Sequence, residues 1–150
     1  MHKRLGKKIA LTILGLFIIA GGVSLFYERG DRSRPNTPPP VAGIFAPDAV
    51  RDLNIDSLQV GSNKVEAGVR GYMFFEATTH IALYNGEKLV SKKFITTQND
   101  WMTSGYVSVT FDLNVPANLN GQTLTLWFIA DNPSGEEART RYWGTKLQVK

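Results

Sequence analysis

Few side chains in this 150-residue chain are equipped for acid–base or covalent chemistry. Past the N-terminal tail His80 is the only histidine, and beside Ile81 at the start of an alternating run it reads as an exposed strand-edge residue rather than a ligand or base. The hydroxyls of Thr103 and Ser104 have no histidine or persuasive lysine base near them in sequence, so the parts of an acyl-transfer site are not assembled. The chain has no cysteine, which removes disulfides, thiolate zinc sites, a cysteine nucleophile and a lipoprotein-type anchor. Glycine-rich phosphate loops and the usual zinc and EF-hand spacings are missing. A carboxylate pair for glycoside hydrolysis drawn from distant loops stays open. The expectation is a non-enzymatic protein with no cofactor and no resident metal.

What remains is chemistry of recognition. Trp101, Trp127 and Trp143 have two readings, a stacking platform for sugar rings or packing within the core. Trp127 lies opposite Leu126 and Phe128 in alternation, with Ile129 as its neighbour on that side, which points to a second packed surface. Three polar segments, Glu76 to Thr79, Gln98 to Gly105 and Asp131 to Arg141, punctuate the apolar runs.

The elements that would position these groups have a periodicity near two from about Leu53 onward. Val107, Val109, Phe111, Leu113 and Val115 alternate with Ser108, Thr110, Asp112 and Asn114, the pattern of a half-buried strand. Leu124, Leu126, Phe128 and Ala130 enclose Thr125, Trp127 and Ile129, so that strand is apolar on both faces. Asn85-Gly86 is a two-residue hairpin signal. The spacing predicts seven strands, near 53–60, 64–75, 80–85, 88–97, 106–115, 123–131 and 142–149, and no amphipathic helix after residue 30. Seven short strands in about 100 residues predict an all-β, immunoglobulin-like antiparallel β-sandwich over residues 44–150.

Strand parity then places the loops after the second, fourth and sixth strands at one end. Glu76, Asp100 and Asp131 would meet there near Trp101 and Arg139. Loops held on a rigid sandwich are a usual place for recognition. The alternative is that these groups only fasten the loops, since Asn132-Pro133-Ser134-Gly135 fits a type I turn and Asp100 can accept backbone N–H bonds. Three converging carboxylates also leave a calcium site as a minor reading.

Three motifs in order, Gly71-Tyr72-Met73-Phe74-Phe75-Glu76-Ala77, Asp100-Trp101-Met102-Thr103 and Asp131-Asn132-Pro133-Ser134-Gly135, resemble the immunoglobulin-like domain of bacterial spore-germination proteins, also found in other exported bacterial proteins. The likeness covers roughly Ile55 to Val149. It implies an extracytoplasmic β-sandwich serving adhesion or interaction, with no catalytic residues to carry over. The partner module often found beside that domain is missing here, so a germination role does not transfer.

Ahead of this domain, residues 9–27 (IALTILGLFIIAGGVSLFY) carry no charge, proline or amide. At about 1.5 Å per residue they span roughly 28 Å, close to a bilayer's hydrocarbon thickness. Lys3, Arg4, Lys7 and Lys8 in the basic tail 1–8 put the N-terminus in the cytoplasm by the positive-inside rule. The expectation is one transmembrane signal-anchor in the cytoplasmic membrane with the C-terminal domain outside; cleavage near Ala20-Gly21-Gly22 would instead release a secreted domain. Residues 28–43, with Pro35, Pro38, Pro39 and Pro40, read as an extended tether, or as a proline-rich docking ligand. Past Tyr27 basic and acidic residues number 13 each, so the +4 net charge belongs to the tail and no nucleic-acid partner is implied. The expected partners are the membrane and a protein or other envelope component. The alternatives are a carbohydrate-binding module using exposed aromatics and a structural envelope subunit without a specific ligand.

Overall fold

The computed structural model describes residues 42–98 and 102–150. The basic tail, the apolar segment 9–27, nearly all of the tether, Asp100 and Trp101 lie outside the described residues. Among those described, no helix is long and apolar enough to cross a membrane.

The described chain is all-β, two sheets packed as a sandwich. The strands are β1 (Ile44–Phe45), β2 (Val50–Arg51), β3 (Ser57–Leu58), β4 (Gly61–Arg70), β5 (Thr78–Asn85), β6 (Lys88–Thr96), β7 (Tyr106–Val115), β8 (Thr123–Ile129) and β9 (Arg141–Val149). One sheet runs β1-β9-β8-β5-β6, with β3 also paired to β9; the other runs β2-β4-β7. Single 3₁₀ turns occupy Gly71–Met73, Ala117–Leu119 and Glu137–Arg139.

The alternation in β7 buries Val107, Val109, Leu113 and Val115 and leaves the residues between them more exposed, as the sequence pattern requires. They meet Val65, Ala67 and Val69 of β4 and, from the opposite sheet, Ile81, Leu83, Leu124, Leu126, Phe128, Trp143 and Leu147. Each fully buried aliphatic or aromatic side chain of this kind contributes about 1.5–3 kcal/mol relative to exposure. β8 lies between β5 and β9 and is buried from Leu124 to Ile129 on both faces. Its outward residues Trp127 and Ile129 form a second cluster with Ala82 and Tyr142, flanked by Phe45 and Tyr84.

Four expectations are corrected. The strand predicted at 53–60 is reduced to Ser57–Leu58. The chain before it first follows β4, with Arg70 N–H donating to Ala49 O and Asn54 N–H to Glu66 O, and Asp52 breaks the extended run at φ 51°. After Leu58 the buried amide of Asn63 exchanges hydrogen bonds with the Gln59 backbone at 2.7 and 2.8 Å, turning the chain into β4 early. Second, the pairing is not wholly antiparallel: β1 and β3 both run parallel to β9. Third, β4 ends at Arg70 rather than 75, because Phe74 N–H bonds back to Gly71 O in a 3₁₀ turn. Fourth, the hairpin loop is Gly86-Glu87 rather than Asn85-Gly86, since Asn85 pairs with Lys88; Gly86 alone has positive φ, 57°, the pattern of a type II′ turn.

Candidate functional site

The loops after β4, β6 and β8 lie at one end of the sandwich and are stitched to each other by backbone bonds. Gly71 N–H donates to Gly105 O at 3.1 Å, Thr97 N–H to Ala77 O at 2.9 Å, and Asp131 N–H to Met73 O at 3.4 Å. The chain enters at the same end, where Ile44 N–H donates to Thr140 O at 2.8 Å.

Each loop has its own fastening. Phe75 and Thr78 exchange both backbone bonds at 2.9 Å around Glu76 and Ala77, whose φ values are 48° and 64°. That two-residue turn with both central residues at positive φ puts Glu76 on the tip of the loop. Thr103 Oγ1 accepts from Gly105 N–H at 3.1 Å, and Met102 is 77% exposed. In the third loop Gly135 N–H closes a turn on Asn132 O at 3.2 Å. Asn132 Oδ1 accepts from Ser134 N–H and Oγ, while its Nδ2 donates to Glu136 O and Thr140 Oγ1. Pro133, Ser134 and Gly135 are exposed on that turn.

Between the third loop and the entering chain lies a cleft of about 290 Å³, lined by Ile44, Tyr72, Asp131, Asn132, Arg139 and Arg141 among others. Of the expected site residues, Asp131, Asn132 and Arg139 therefore share one cleft. Glu76, Met102, Thr103, Pro133, Ser134 and Gly135 do not line it, and Asp100 and Trp101 lie outside the described residues. Among the described residues no three histidine, aspartate or glutamate side chains are grouped as a metal would need. A second cleft of similar volume sits at the opposite end, between the β5–β6 hairpin and residues 116–122.

Apart from Tyr72, the polar wall of the loop end carries no sequence motif. Tyr72 Oη donates to Asp48 Oδ1 at 2.8 Å, and Asp48 Oδ2 pairs with Arg70 Nε at 3.2 Å. Tyr106 Oη donates to Asp48 O, and the guanidiniums of Arg51 and Arg70 lie 4.0 and 4.2 Å from the Tyr106 ring centre. The Arg141 guanidinium lies 4.6 Å from the Tyr72 ring centre. Burial, reinforced by the hydrogen bond to Asp48 and its charge, pushes the Tyr72 phenol up to about 12, so it stays protonated as a donor. The same hydrogen bond from Tyr72 holds the Asp48 carboxyl below its usual range. Arg70, Tyr106 and Arg141 are the β4, β7 and β9 residues at the loop end: Tyr106 opens the expected strand 106–115 and Arg141 directly precedes 142–149, so strand parity reaches both, whereas Arg70 lies inside the expected strand 64–75 and carries no such signal.

His80 is not an edge residue. It sits inside the sheet between Ile129 of β8 and Phe94 of β6, with its ring edge-on to Phe94 at 4.5 Å and Nε2 3.7 Å from Asp131 Oδ1. Burial lowers its pKa, against an upward pull from Asp131. Trp127 and Trp143 are 0% and 4% exposed, so neither offers a ring face to solvent. No family model, curated protein or solved structure matches the chain.

Proposed function

We propose that the chain is a non-enzymatic, membrane-tethered, immunoglobulin-like interaction domain outside the cytoplasmic membrane, binding a protein or other envelope component through its loop end. The immunoglobulin-like reading is supported by strand order, a three-stranded β2-β4-β7 sheet facing a sheet whose long strands run β9-β8-β5-β6. Kinship with the domain of germination proteins rests on the three sequence motifs, and the tether and membrane anchor on the N-terminal hydropathy and charge pattern.

The observation that carries the function is the cleft: three loops far apart in sequence are fastened to each other at one end of the sandwich, and the third of them, with Tyr72 and the entering chain, walls a concave surface there. A glycan platform has less support, because two of the three tryptophans are buried. The test is capture from envelope extract by the full chain and by Trp101→Ala, with thermal melting of both. Loss of capture at unchanged melting temperature is expected. Unfolding of Trp101→Ala makes that indole core, and equal capture by both chains removes the loop end as the binding surface.

A further inference from the structure

We propose that the loop-end cleft binds the C-terminal residue of a peptide chain, with Arg141 as the cation for its carboxylate; this deepens the interaction-domain reading and rests on it. Four arginines crowd this end, and three of them are neutralised at close range. Arg51 pairs with Asp52 at 3.1 Å, Arg70 with Asp48 at 3.2 Å and Arg139 with Glu136 at 2.7 Å. Arg141 has no carboxylate partner among the described residues, although it lies at the cleft. Its guanidinium is held over the Tyr72 ring, and that ring is fixed by its own hydroxyl on Asp48. Its backbone is fixed as well, since Arg141 O accepts from Ala130 N–H at 2.8 Å and Arg141 pairs with Ile44. A guanidinium placed in advance loses little freedom when it forks onto a carboxylate, and it prefers planar oxyanions.

The rest of the lining distinguishes a peptide terminus from a simple anion. Thr140, a nearly buried residue of the lining, accepts from Asn132 Nδ2 through its Oγ1, a bond that leaves its own hydroxyl proton unspent. Asp131 is an acceptor in the same lining; it repels a bare dianion but suits the backbone N–H that accompanies a terminal carboxylate. Ile44, 53% exposed, gives the apolar wall for a terminal side chain. A cation, an acceptor and an apolar surface correspond to the carboxylate, N–H and side chain of one terminal residue. The volume is at the small end of ligand sites, which run from about 300 to 1,000 Å³, and so suits a chain end rather than a folded surface.

The test is fluorescence anisotropy of a dye-labelled Gly-Gly-Ala-Ala peptide with a free C-terminal carboxylate, titrated with the full chain, beside the same peptide ending in an amide. The free acid should bind about tenfold or more tightly than the amide, weakening with salt, and Arg141→Gln should lose about tenfold. Lys64→Gln, which removes an exposed cation paired with Glu66 and away from the cleft lining, should bind as the parent does. If Arg141→Gln does not fold, Arg141→Lys carries the test, since it keeps the charge without the planar fork and should lose about threefold or more. Equal binding of acid and amide, undiminished binding by the Arg141 variant, or no saturable binding of the acid up to about 10 mM overturns the proposal. Envelope capture undiminished in Arg141→Gln overturns it while leaving the interaction-domain reading intact. Carboxylate-dependent peptide binding without any captured partner supports this site and removes the broader reading.

Discussion

The indole of Trp127 lies directly over Gly144, its pairing partner on β9, so that a β-carbon there would fall 2.9 Å from Cδ2 and closer still to Cε3 and Cζ3. Ala82, the partner on β5, is the other small neighbour. A large ring is thus accommodated on an outer sheet face by small residues on both adjacent strands. Gly144→Ala should therefore destabilise the domain by about 1–3 kcal/mol through overpacking, read as a lower denaturant midpoint with unchanged slope. An unchanged midpoint would mean that the ring moves aside freely.

The turn at Glu76-Ala77 holds two side-chain-bearing residues at positive φ, where glycine and asparagine are at ease. Ala77→Gly should raise stability by about 1 kcal/mol, and Glu76→Asn together with Ala77→Gly by somewhat more. Paired chemical denaturation curves measure both. Destabilisation by the double variant would show that the Glu76 carboxylate makes a contact worth more than the strain.

Asn132 is the organiser of the third loop, with four side-chain hydrogen bonds reaching Ser134, Glu136 and Thr140. Asn132→Ala should cost about 1–3 kcal/mol and raise amide exchange across 132–140 while leaving β4 and β7 protected. Exchange spreading into those strands would mean the loop is not a separate unit.

His80 has its pKa lowered chiefly by burial, so the folded state holds it neutral where the unfolded chain already takes a proton. Its contribution to stability is complete above about pH 6.5 and is lost as pH falls through the lower folded value. Asp131→Asn removes the upward pull and should lower the His80 pKa further, measured by NMR titration of the ring protons. A rise in that pKa would show that Asp131 does not act on His80 as a charge.

The long strands were legible because their alternation is strict: the buried positions of β7 and the two-faced burial of β8 follow directly from Val107 to Val115 and Leu124 to Ile129. The segment before β4 was not legible, since β1, β2 and β3 are two residues each and are held by partners distant in sequence. Parity brought Asp131 and Arg139 to the loop end, yet it could not indicate that Asp48, ahead of every expected strand, ties Tyr72, Arg70 and Tyr106 together. That cluster depends on a proline-containing stretch changing sheets, a long-range event with no periodic trace.

The parallel clasp of β1 on β9 has a mechanical consequence. Tension applied through the chain ahead of Gly43 reaches the sandwich first at Ile44 and Phe45, where Ile44 N–H bonds to Thr140 O and Ala46 N–H to Tyr142 O. Ile44 also lines the cleft. A load between that chain and a ligand seated there would run through a few residues at one corner, bypassing the β4–β7 and β5–β8 ladders. The body of the sandwich would then act as a bystander to force, and the first part to yield would be the wall of the cleft itself.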